Sequence, residues 1–115
     1  MTIREAAKAL EAEIVQNEFE DSGLSAAYTS DLLSDVMANA GRDSAGDGSA
    51  LITIQAHKNT VAVATLADIT VIIICNSRPI PEDMIEAAKS EGIAIVRTRE
   101  NQFTVSGKLY KLFNG

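Results

Sequence analysis

Two continuous apolar runs stand out along the chain, Ala50-Leu51-Ile52-Thr53-Ile54 and Thr70-Val71-Ile72-Ile73-Ile74-Cys75. Neither alternates apolar with polar positions, and both are rich in β-branched residues, the pattern of parallel strands covered on both faces. Between them lies the polar hinge Gln55-Ala56-His57-Lys58-Asn59-Thr60, followed by the small apolar stretch from Val61 to Ala67. A strand, a polar turn, a helix of small residues and a second strand make a βαβ unit. In this reading Asn59 and Thr60 cap a helix that opens at Val61.

Upstream, Ile3, Ala6, Ala7 and Leu10 recur at helical spacing, with Thr2 and Glu5 placed as a capping box. Glu13 to Gln16 and Leu24 to Tyr28 read as short strands around an acidic, turn-rich link. Ser30-Asp31 then caps a helix with Leu32, Leu33, Val36 and Met37 on its apolar side, closed by Gly41. Arg42 to Ser49 reads as a polar loop. Downstream, Pro81 sits in the first turn of a helix that carries Glu82 and Asp83 at its positive end and stops at Gly92. Ile93 to Val96 is a further buried strand. Phe103, Val105, Leu109, Leu112 and Phe113 mark a closing segment that Gly107 interrupts. The alternation predicts an α/β single-domain layered fold, with a mostly parallel sheet of about five strands flanked by helices.

A length of 115 residues suits one domain spanning positions 1–115. The formal charge of −6 repels phosphate backbones and anionic lipid, so neither nucleic acid nor membrane is an expected partner. No stretch reaches the ~18 apolar residues of a membrane span, and the residues around Arg4, Glu5 and Lys8 lack a signal-peptide core. The expected location is cytoplasmic. Cys75, the one cysteine, ends the most apolar run and reads as a buried thiol in a reducing compartment.

Ligand chemistry in parallel sheets gathers at the carboxyl ends of strands. Those ends hold Gln55, His57, Asn59 and Thr60 after the first run and Asn76, Ser77 and Arg78 after the second. These seven are the candidate ligand-binding residues, with a small anion as the expected ligand. The single histidine has no second His, cysteine pair or fixed carboxylate beside it in sequence, so neither a metal site nor a catalytic residue is assigned. Asp31 and Asp35, one turn apart, read as a cap and a solvated face rather than a metal pair. No G-x-x-x-x-G-K-[ST] motif is present, and no cofactor is implied.

Asp31-Leu32-Leu33-Ser34-Asp35-Val36-Met37 and Gln55-Ala56-His57-Lys58-Asn59-Thr60-Val61-Ala62-Val63-Ala64, with the Pro81 to Val96 segment and the closing Phe103 to Tyr110, resemble a DRTGG domain. The resemblance covers nearly the whole chain. It implies an α/β module similar in fold to the amino-terminal domain of HPr kinase/phosphorylase, of the kind that serves regulation or assembly in larger proteins. It further implies a module that tends to dimerise, and the leading expectation is a non-catalytic, homodimeric regulatory or scaffold module that senses a small phosphorylated or nucleotide ligand or modulates a partner enzyme. The alternative is a small phosphate-handling enzyme that uses His57 and Asn59. Where many members carry a Gly-Asp-Arg-like turn this chain has Gln55 to Asn59, and where they carry Thr-Gly-Gly it has Cys75-Asn76-Ser77. The second change is expected to remove the backbone freedom that glycine provides.

Overall fold

A computed structural model describes residues 1–40 and 48–115. Helix α1 (Ile3–Ala9) opens on the expected capping box: Glu5 N–H donates to Thr2 Oγ1 at 3.1 Å and Thr2 N–H to Glu5 Oε1 at 2.8 Å. Strands β1 (Glu13–Gln16) and β2 (Leu24–Thr29) follow as read from the sequence. Next come α2 (Leu33–Asn39), β3 (Gly48–Thr53), α3 (Lys58–Leu66), β4 (Ile69–Ile74), α4 (Glu82–Glu91), β5 (Ala94–Arg97) and α5 (Gln102–Asn114).

Several boundaries differ from the sequence reading, each for a physical reason. Asp31 does not cap α2; Leu32 holds the cap position without a side-chain bond, because the Asp31 carboxylate is engaged across the sheet end. The expected helix stop at Gly41 and most of the loop read over 42–49 lie outside the described residues. Gly48 and Ser49, read as the end of that loop, are buried and open β3. Gly48 N–H donates to the Gly23 carbonyl at 2.7 Å. A Cβ at Gly48 would collide with the Thr70 hydroxyl and lie 2.8 Å from the Gly23 oxygen, so only glycine fits there. Pro81 caps α4 instead of standing inside it. Gly92 closes that helix in the left-handed region, φ 67°, as expected. Gly107 interrupts nothing: α5 runs through it for 13 residues, capped by Asn101, whose Oδ1 accepts from Thr104 N–H at 2.9 Å.

The strands form one sheet in the order β1-β5-β4-β3-β2, parallel from β2 to β5, with β1 antiparallel against β5. This is the expected mostly parallel α/β layered fold. Alternate residues of each central strand feed two separate cores. Ala50, Ile52, Val71, Ile73, Ala94 and Val96 pack against α1 and α5, while Leu51, Ile72, Ile74 and Ile95 pack against α2, α3 and α4. Each crossover from β2 to β5 steps to the next strand in one direction, and right-handed connections then place all three intervening helices on one face. After β5 the chain crosses to the other face, where α5 reaches back over β2 and β3.

A three-membered polar group joins α2 to the edge strand. Tyr28 Oη donates to both Asp35 oxygens, at 3.0 and 2.9 Å, and Asn39 Nδ2 donates to Asp35 Oδ1 at 2.9 Å. Hydrogen bonds from Ser30, Tyr28 and Asn39 hold the Asp35 carboxyl below its ordinary range.

Candidate functional site

The carboxyl ends of β2, β3, β4 and β5 lie along one edge of the sheet, and Asp31 joins three of the segments that meet there. Its Oδ1 accepts from Thr53 Oγ1 at 2.8 Å, from the Ile54 amide at 2.9 Å and from Gln102 Nε2 at 2.9 Å. Its carbonyl accepts from Gln55 Nε2 at 3.0 Å. The loop after β2, the end of β3 and the first turn of α5 are therefore held on one carboxylate. Asp31 and Asp35 serve different segments and do not form a pair.

His57, rather than Asn59 or Thr60, caps α3. Its Nδ1 accepts from the Asn59 amide at 3.0 Å, and the helix opens at Lys58, three residues earlier than the sequence reading placed it. An accepting Nδ1 assigns the neutral ring the Nε2–H tautomer, so the exposed edge of the imidazole is a donor. Thr60 is fully buried and its hydroxyl donates to the Gln55 carbonyl at 2.8 Å, which closes the turn. Gln55 and His57 then share a cleft of about 250 Å³ with Arg78 and Pro79 from the end of β4. Three of the seven candidate residues, Gln55, His57 and Arg78, are brought together in this way.

The other four are not. Asn59 borders an apolar groove between α3 and α4, where Ala62, Leu66 and Ala87 also stand. Thr60 is inside the fold. Asn76 and Ser77 both adopt positive φ, 59° and 49°, and donate their amides to the carbonyls of Glu100 at 3.0 Å and Thr98 at 2.9 Å. The left-handed conformation expected to be lost with the family's glycines is therefore present in non-glycine residues, at about 1–3 kcal/mol each. The two bonds to the loop after β5 hold the turn in place. Ser77 faces a second cleft of about 270 Å³, lined also by Arg97, Thr98, Arg99 and Glu100. The sequence reading assigned nothing to this cluster; its signal was two arginines and a glutamate at the end of a buried strand.

Cys75, directly after β4, is fully buried. Burial, reinforced by the negative charges of Asp31 and Glu100, pushes its thiol up to about 11. Among the described residues no cluster of three or more His, Cys, Asp or Glu could hold a metal ion, and no helix is long and apolar enough to cross a membrane.

The sequence profile of the family described as HPr Serine kinase N terminus matches residues 52–113, more than half of the chain. The chain belongs to this family. The matched span contains the Gln55 to Ala64 junction and the closing segment that carry the DRTGG resemblance; the Asp31 to Met37 helix stands before it. Among solved structures, the chain is similar to the CBS and DRTGG domains of the regulatory region of Clostridium perfringens pyrophosphatase, crystallised with its activator diadenosine tetraphosphate. The TM-score is 0.65 at 17% identity, over 94% of this chain and 45% of that one. The likeness places the HPr Serine kinase N terminus family member described here in the DRTGG fold, and the chain spans less than half of that neighbour. No curated protein matches it in sequence.

Proposed function

We propose that this chain is a non-catalytic regulatory module that senses a small anionic ligand at the cleft between the ends of β3 and β4. In this reading it acts as one unit in the cytoplasm, as a homodimer, and modulates a partner enzyme. The observation that carries it is the convergence of three donors on one cleft: the Arg78 guanidinium, the His57 Nε2–H and the side chain of Gln55. Arg78 has no ion-pair partner among the described residues. On a chain of net charge −6, such a local concentration of donors is the place where an anion is held. The fold shared with a pyrophosphatase regulatory region crystallised with a nucleotide activator supports regulation over catalysis. The enzymatic alternative fits less well, because Nδ1 of His57 is engaged by the Asn59 amide and Asn59 borders a different groove.

Amide chemical shifts followed during titration with ATP, acetyl phosphate and inorganic phosphate test the reading. The expected result is movement at Gln55 to Lys58 and at Arg78, weakened at least tenfold in Arg78→Ala. His57→Ala loses a helix cap, at about 1 kcal/mol, along with the ring donor, and also weakens binding. Shifts of equal size in wild type and Arg78→Ala would remove the cleft from consideration.

A further inference from the structure

Helix α3 carries no charged side chain after Lys58, and a helix that is apolar on every side belongs in an interior. The sheet covers one side of it, through Val61 and Ala64, and α2 and α4 flank it. Its remaining side is bare among the described residues. There Ala62, Thr65 and Leu66 are exposed and form, with Ala87 of α4, the apolar part of a groove of about 520 Å³. The Thr65 hydroxyl is satisfied within the helix, donating to the Val61 carbonyl at 3.0 Å.

The groove has charges at its two ends. Each of α3 and α4 joins two parallel strands, so both run from the carboxyl edge of the sheet back to its amino edge. Lys58, the first residue of α3, therefore stands at one end of the groove, and Glu91, the last residue of α4, at the other. Neither has an ion-pair partner among the described residues. Each also has the wrong sign for its place, since a cation opposes the positive opening of a helix and an anion its negative close. A surface with opposite charges at its two ends is complementary to itself. A two-fold axis in the plane of the contact, bisecting the line from Lys58 to Glu91, brings each lysine to the glutamate of the other copy.

We propose that this groove is the contact between two copies of the chain, α3 and α4 of one against α3 and α4 of the other, with a Lys58–Glu91 pair at each end. The apolar floor supplies the binding, and the two ion pairs fix the orientation. The contact rests on the homodimeric reading of the chain and leaves Phe103 and Tyr110, on the α5 side of the sheet, outside it.

The test is light scattering over a concentration series on the intact chain, on Lys58→Glu, on Glu91→Lys, on an equimolar mixture of the two variants, and on the double variant. Each single reversal sets like charges against each other at both ends and is expected to raise the dimer Kd by roughly tenfold or more. The mixture and the double variant restore opposite charges at both ends, so both are expected to regain the dimer. Both side chains are exposed, and each reversal suits its helix end, so loss of the dimer is not loss of the fold; an undiminished urea midpoint in dilute protein checks this. Single variants that dimerise like wild type overturn this contact and leave the homodimer to another face. Weakened single variants that fail to recover in the mixture overturn the Lys58–Glu91 pairing. A wild-type monomer up to near-millimolar concentration overturns the contact together with the homodimeric reading and leaves the groove to a different protein, while the anion response at Arg78 is read independently.

Discussion

Asp31 shows how much a single side chain can organise. Three donors, two from the end of β3 and one from the first turn of α5, converge on its Oδ1, and removing the acceptor strands all three near the sheet end. Asp31→Ala is expected to cost roughly 3 kcal/mol, with Asp31→Asn costing less because it retains an oxygen; urea unfolding measures both. Cys75 makes a second expectation at this scale. The thiolate is the nucleophile, and burial keeps the thiol protonated up to about 11. Native protein at pH 8 should therefore react slowly with a thiol reagent and unfolded protein quickly; equal rates would show that the strand end is open. Because the folded value is raised above the ordinary 9.0, the stabilising contribution of the neutral thiol is complete below about pH 9 and is lost as pH rises toward about 11. Stability should fall across that window in wild type and less in Cys75→Ala.

Among the elements, α5 departs most from what its composition predicts. Glycine in a helix interior costs conformational entropy, and the sequence pattern around Gly107 suggested a break. The helix persists because Val105 and Leu109 are fully buried against the sheet and Asn101 caps its start. Tertiary burial outweighs a propensity deficit of about 1 kcal/mol. A Cβ at Gly107 meets nothing within 4 Å. Gly107→Ala should therefore stabilise the protein by about 0.5–1 kcal/mol, seen as a higher midpoint in urea, and a loss of stability would mean that the glycine's exposed face is covered. Gly48 is the opposite case, a strand glycine demanded by the close approach of Thr70 and Gly23.

For the whole molecule, the apolar surface left uncovered is the telling feature. Leu32, Met37 and Leu66 are exposed on the side of α2 and α3, Leu66 at 71%. A second apolar set, Phe103 and Tyr110, lies along α5 on the other side, Phe103 at 87%. These side chains support the proposed homodimer. Light scattering should give twice the chain mass at micromolar concentration, and Leu66→Asp, which disturbs no core contact, should shift it toward monomer if α3 forms the interface. A wild-type monomer up to near-millimolar concentration would remove the assembly claim.

The order of the elements, the two central strands and the caps at Thr2 and Gly92 were legible in the sequence because they depend on local physics. Runs without alternation, helical spacing and turn chemistry act within a few residues. The site was legible only in outline. That polar residues would gather at the ends of β3 and β4 followed from the βαβ pattern, but which of them share a cleft did not. Gln55, His57 and Arg78 meet because strands 3 and 4 are neighbours in register, whereas Asn59 is turned away by one step of the α3 helix. The roles of Asp31 and Gln102 were invisible for the same reason, since 71 residues separate partners that are hydrogen-bonded. The face to which α5 crosses after β5 is chosen by packing, where Val105 and Leu109 fill a core already lined by α1, and no local pattern encodes it.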